Sequence, residues 1–205
     1  MLNRCECECT GLSQKKLTIL GVLVETELEK LIEREKPTIL KKWFDIAIQS
    51  YDPDTAKFLS NQKDPFANPV GSSTLKGLQG LLDQLLKDLD RKAVHSYLDP
   101  IIRIRAVQAF TPSQATAFIL SLKQVLREML DKKLQDPKMA KAFMSFESKI
   151  DRLCLMAFDI YMECKEKIYQ ISANETRNRT FRTFERAGLL SEKKGDRPKI
   201  KKTIN

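Results

Sequence analysis

The stretch that decides the fold runs from Asp99 to Gln114 and reads DPIIRIRAVQAFTPSQ. It holds two helix starts. Asp99 is placed to cap a helix whose first turn accepts Pro100, because the amide hydrogen a proline lacks is unpaired there anyway. Thr111, Pro112, Ser113 and Gln114 repeat the device as a T-x-x-Q capping box with Pro112 at the first helical position. A short helix is expected between them.

On that helix Ile101, Ile104 and Gln108 share one stripe and Ile102, Ala106 and Ala109 another. Arg103 and Arg105 stand two positions apart, about 200° around a helix, so they leave on nearly opposite faces and one of them is expected to point inward. Asp99 and Arg103, at i and i+4 with the acid first, are in the favourable order for an ion pair. Two accounts of the arginines stay open. Either both are solvated, or the inward one orders a polar pocket, because an unpaired charge is costly to bury.

Working outward, the run LDPIIRIRAVQAFTPSQATAFILSLKQVLREML from Leu98 to Leu130 resembles the N-terminal domain of the RsbT co-antagonist protein RsbRD family. The segment KKWFDIAIQSYDPDTAKFLSNQKDPFANPVG from Lys41 to Gly71, and the Leu-rich helix after it, fit the same family. The likeness spans about Leu28 to Leu190. It implies an all-α fold: a single globin-like helical bundle with a long C-terminal helix, of the kind that carries sensory input to a STAS domain in bacterial stressosome proteins. This chain stops in a basic tail instead of a STAS domain. Aromatic and polar residues in the three resembling motifs, Trp43, Phe66, Asn68, Arg103, Arg105 and Gln108, are the ligand-pocket candidates. The plainer account puts Trp43 and Phe66 in the core, Asn68 in a turn and the inward arginine on backbone carbonyls.

The remainder divides into a flexible leader over 1–14, a helical domain over 15–190 and a basic disordered tail over 191–205. A chain of 205 residues, 42% hydrophobic and poor in glycine, can bury one good helical core. The net charge of +9 is concentrated at the end, where ten Lys or Arg face three acids from Arg177 onward. Arg177, Arg179, Arg182 and Arg186, around Phe181 and Phe184, are the candidates for contacting a protein partner or a polyanion. The resemblance favours a protein partner over nucleic acid or a membrane surface.

The first helix shows Leu17, Leu20, Val24, Leu28 and Leu31 at helical spacing, and Pro37 then marks a helix start or a kink. Leu40, Trp43, Phe44, Ala47 and Tyr51 form the next stripe, and a short helix from Asp52-Pro53 reaches Leu59. Asn61 to Gly71 reads as loop, with Phe66 folding back onto the core, and Ser72 or Ser73 capping the next helix. Leu75, Leu78, Leu82, Leu85 and Leu89 make its seam, on which Gly77 and Gly80 permit a close crossing. The last helix starts near Pro137. It carries Met139, Phe143, Phe146, Ile150, Leu153, Ala157, Ile160 and Cys164 in a heptad pattern, a candidate surface for a homodimer, and ends at Gly188.

The chemistry of an enzyme is not visible in this pattern. There is no phosphate-binding glycine loop, dinucleotide fingerprint, nucleophile elbow or H-E-x-x-H. The single histidine, His95, sits in the polar segment RKAVHSYLD, so neither haem nor any other cofactor is expected. Cys5, Cys7 and Cys9 lack the spacing of a metal knuckle and read as an oxidisable leader, with no metal. Five cysteines without a secretory signal, and an apolar run of only eight residues from Leu17 to Val24, predict a cytoplasmic protein. The expected function is a non-enzymatic signal-input module that passes a ligand or partner signal through its last helix. The alternatives are a stand-alone adaptor docking on a redox or sulfur-metabolism complex, and a polyanion binder acting through the tail.

Overall fold

The computed structural model describes residues 8–188 other than 63, 88 and 109, with side chains described from residue 24 onward. Among them the architecture is all-α: α1 (Glu8–Ile48), α2 (Pro53–Asn61), α3 (Pro69–Leu85), α4 (Arg91–Val107), α5 (Pro112–Leu134) and α6 (Pro137–Arg186). The chain divides into two units, Met1–Lys165 and Glu166–Asn205. Cys5, Cys7 and the 191–205 tail lie outside the described residues, while α1 already begins at Glu8, within the segment set apart as a leader.

Four helices of the first unit open with the same two-residue device, a polar residue followed by proline. Asp52 accepts from the Thr55 amide at 3.0 Å, Asn68 from Gly71 at 2.8 Å, Thr111 from Gln114 at 3.3 Å, and Asp136 from Lys138 at 3.1 Å. The capping box at Thr111 is complete, with the Gln114 side chain accepting in return from the Thr111 amide. The cap of α3 is therefore Asn68 and not Ser72 or Ser73, which lie inside the helix.

Asp99-Pro100 has the same sequence signature and does something else. The helix expected to start there begins instead at Arg91, capped by Asp90, and Pro100 sits inside it. An interior proline costs about 3 kcal/mol, but Val94 and Leu98 before it and Ile101 and Ile102 after it all enter one core. Each such side chain contributes about 1.5–3 kcal/mol on burial, so packing carries the helix through the proline. Pro37 is overrun for the same reason, with Leu28 and Ile32 on one side and Ile39 and Trp43 on the other in the core, so no helix starts there.

The α3–α4 crossing depends on missing side chains. A methyl group on Gly77 would meet the Ile101 Cδ1 at 2.6 Å and the Tyr97 carbonyl at 2.9 Å, and one on Gly80 would enter the Tyr97 ring. Phe66, expected to anchor the 61–71 loop, is 96% exposed. The loop is secured by polar contacts instead, which removes the need for an apolar anchor.

Within the first unit every position of the α6 seam, from Met139 to Cys164, is buried. The seam proposed for self-association is thus consumed by the chain's own core, and Ile150 and Leu153 have no surface left to offer a second copy. Ion pairs flank the seam: Arg127 grips Glu147 with two bonds at 2.8 and 3.0 Å, and Lys123 meets Asp151 at 2.7 Å. In the second unit α6 continues to Arg186, and Gly188 follows it with φ of 65°, the left-handed residue that stops a helix. Among the described residues no helix is long and apolar enough to cross a membrane.

Candidate functional site

The six pocket candidates do not line one cavity. Arg103 and Arg105 separate as their spacing requires. Arg103 lies on the surface and forms a two-bond pair with Asp99, which raises the guanidinium pKa above its ordinary value. Gln108 is an exposed C-terminal cap of α4, and Phe66 is in solvent. Trp43, Asn68 and Arg105 are buried, at two different places.

The first place is the junction of α1, α4 and α5. Arg105 is 1% exposed, and among the described residues no carboxylate pairs with it. Its Nη2 donates to the Ala47 carbonyl at 2.8 Å and its Nη1 to the Gln114 carbonyl at 3.2 Å. Ala47 lies in the last turn of α1, where carbonyls lack helical donors and the helix dipole is negative, so the cation serves as a cap from another helix.

Three rings complete the enclosure. The guanidinium carbon lies 4.5 Å from the centre of Phe118 and 5.5 Å from those of Tyr51 and Phe110. Tyr51 and Phe110 meet edge to face at 5.1 Å. Stacking on ring faces replaces part of the lost hydration of a cation. Replacement is incomplete: the Arg105 Nε is, among the described residues, the buried side-chain polar atom without a hydrogen-bond partner. Burial accordingly pushes the guanidinium pKa down, and it pushes the Tyr51 phenol up against the opposing pull of the Arg105 charge.

Trp43 closes the same junction from α1. It is fully buried, and its indole Nε1 donates to the Phe118 carbonyl at 2.6 Å. From α6 the Tyr161 hydroxyl donates to the Phe110 carbonyl at 2.5 Å, which ties the long helix to a residue of the enclosure. The sequence had marked Trp43 and one inward arginine. It missed Phe110 and Tyr161, because the Tyr161 hydroxyl bonds the Phe110 carbonyl and the Phe110 ring meets Tyr51, both across long stretches of sequence that leave no periodic trace.

The second place is a groove between α1, α2 and α3 of about 680 Å³. Asn68 builds one end of it. The Nδ2 of that residue donates to the Leu59 and Gln62 carbonyls, both at 2.9 Å, while its Oδ1 caps α3. Every polar atom of the side chain is used internally, so Asn68 shapes the groove and has nothing left for a ligand. Lys36 is likewise committed, to Asp83 and to Glu33.

The partner candidates in the second unit fall on two faces of α6. Helical spacing puts Arg179, Arg182 and Arg186 within about 60° of one another and Arg177 on the opposite side with Phe181 and Phe184. All six are exposed, so the rings do not pack beneath the guanidinium groups as a single surface. His95 is exposed on α4, and the described residues contain no group of three or more His, Cys, Asp or Glu suited to a metal.

A family model described as the RsbT co-antagonist protein rsbRD N-terminal domain matches residues 37–176, well over half of the chain, including the junction and all of the groove lining but Lys36. No curated protein and no solved structure matches the chain.

Proposed function

We propose a signalling function from one premise: the chain belongs to the RsbT co-antagonist protein rsbRD N-terminal domain family. That family implies a stressosome-type sensory or signalling role. Our reading is that this chain is a non-enzymatic input module in which a ligand or protein partner alters the first unit and the change leaves through α6. The observation that supports it is the Tyr161 bond to Phe110. The Phe110 ring lines the Arg105 enclosure, so the end of α1, the α4–α5 turn and α6 meet at one residue. Two discrete arrangements of such a junction would be felt by α6, which is what a population shift requires.

A double-mutant cycle tests this. Arg105→Met keeps the volume and leaves Ala47 with its second donor, the Ser50 hydroxyl at 2.8 Å, so the fold survives. Tyr161→Phe removes only the hydroxyl. The expected coupling between them, read by hydrogen exchange of the α6 amides and by denaturation, is about 0.5–3 kcal/mol. Strict additivity, with α6 exchange unchanged in Arg105→Met, would discard the coupling.

A protein partner is favoured over a polyanion at the second unit because Phe181 and Phe184 are exposed together. A phosphate backbone gains little from two phenyl rings on the face opposite three arginines. Partner capture from native lysate should fall with Phe181→Ser/Phe184→Ser and show a shallow salt dependence. A steep one, lost with Arg179, Arg182 and Arg186, would favour the polyanion reading.

A further inference from the structure

The α1–α2–α3 groove combines an apolar floor with two free cations on opposite walls. Leu40 and Phe44 from α1, Leu59 from α2 and Leu75 from α3 form the floor, and Leu75 is 44% exposed. Exposed leucine in a concave site is apolar surface that a ligand would remove from water. Above the floor stand Lys41 on α1 and Lys76 on α3. Among the described residues neither has an ion-pair partner, in contrast to Lys36 at the same groove. Asp45 is the one acid among the described lining residues, which leaves the mouth positive.

We propose that this groove binds a small amphipathic organic anion, a single carboxylate or sulfonate on a compact apolar body. The apolar body lies on Leu40, Phe44 and Leu75, and the head group is held between the Lys41 and Lys76 ammonium groups. The volume argues for a small molecule. At about 680 Å³ the groove is within the 300–1,000 Å³ of ordinary ligand sites and below the roughly 900 Å³ that two turns of a helix with side chains would fill. The groove is also preformed, because the Asn68 bonds fix the α2–α3 connection that makes its end wall. This assignment stands independently of the Tyr161 coupling, since no residue of the Arg105 enclosure lines the groove.

The test uses the full chain, with phenylbutyrate as the probe and phenylbutanol as its uncharged counterpart, followed by calorimetry and by amide shifts. Saturable binding of phenylbutyrate is expected, with shifts centred on Leu40, Phe44 and Leu75. The alcohol, and the Lys41→Gln/Lys76→Gln double variant with the acid, should each bind roughly tenfold more weakly. Leu75→Ser should weaken both probes alike. The proposal is overturned if phenylbutyrate shows no saturable binding, if acid and alcohol bind equally, or if the lysine variant, folded by its melting curve, binds as the native chain does. Binding of acetate as tight as that of phenylbutyrate would also overturn it, by showing a site for the charge alone.

Discussion

The α1–α4–α5 junction and the α1–α2–α3 groove both set positive charge beside aromatic and aliphatic carbon, and they use it in opposite ways. In the junction the cation is Arg105, sealed under three rings and bonded to two carbonyls. In the groove the cations are Lys41 and Lys76, both exposed and, among the described residues, in no ion pair. Arginine suits the first place because its flat, weakly hydrated head stacks and donates in several directions. Lysine suits the second because a hydrated ammonium on a flexible stem can close on an anion that arrives. A buried cation bonded to carbonyls of two other helices holds structure together; an exposed pair beside an apolar floor is available for recognition.

The contrast breaks most severely at Arg105. Arg105→Ala should destabilise by about 4 kcal/mol, since it opens a cavity among the rings and strips a donor from two carbonyls. Arg103→Ala, two residues away on the surface, should cost less than about 1 kcal/mol. Denaturant melts of the two variants decide it, and equal losses would remove the distinction between the faces of α4.

Asn68→Ala should come next, at about 2 kcal/mol, from one lost cap and two carbonyls left without their donor. The same variant should loosen phenylbutyrate binding by slackening the end of the groove, which calorimetry would register.

The junction also carries an alkaline signature. Burial raises the Tyr51 pKa in the folded chain, so the folded state holds its phenol proton more tightly than the unfolded one. The associated stability is fully present below about pH 10, the unfolded value, and is lost as pH rises through the folded value. Cys154, raised by burial too, adds a loss of the same sign that starts lower, near about pH 8.5. Tyr51→Phe should therefore flatten only the upper part of the decline in stability measured between pH 8 and pH 12. At the groove, Lys41→Gln and Lys76→Gln should change stability by less than about 0.5 kcal/mol, the least of these effects.

Much of this was legible in the sequence where the signal is local. The two-residue spacing of Arg103 and Arg105 foretold that one would be buried, and the plainer account of that residue, bonding to backbone carbonyls, is the one the structure shows. The Thr111 box and the α6 seam were read from residues within a few positions of each other. The failures came where distant packing overrode local chemistry. Asp99-Pro100 and Asn68-Pro69 look alike, yet the first is inside a helix and the second begins one, because only the first is flanked on both sides by residues that enter the core. Phe66 was assigned inward by its apolarity, whereas the loop around it is secured by Asn68. The groove was invisible, since its floor and its lysines come from three helices and share no spacing.

Among the described residues no acid pairs with Arg105, and that sets how the junction answers to protons. A latch made of cation and carboxylate opens when the carboxylate is neutralised. Carbonyl oxygens and aromatic faces take up no proton over the same range, and the guanidinium gives none up. Acid therefore finds no carboxylate to neutralise in this fastening, in contrast to the Lys36–Asp83 and Arg127–Glu147 pairs. Lowering the pH thus leaves α1, α4 and α5 joined through Arg105, and the proton-linked loss at this junction lies on the alkaline side, at Tyr51.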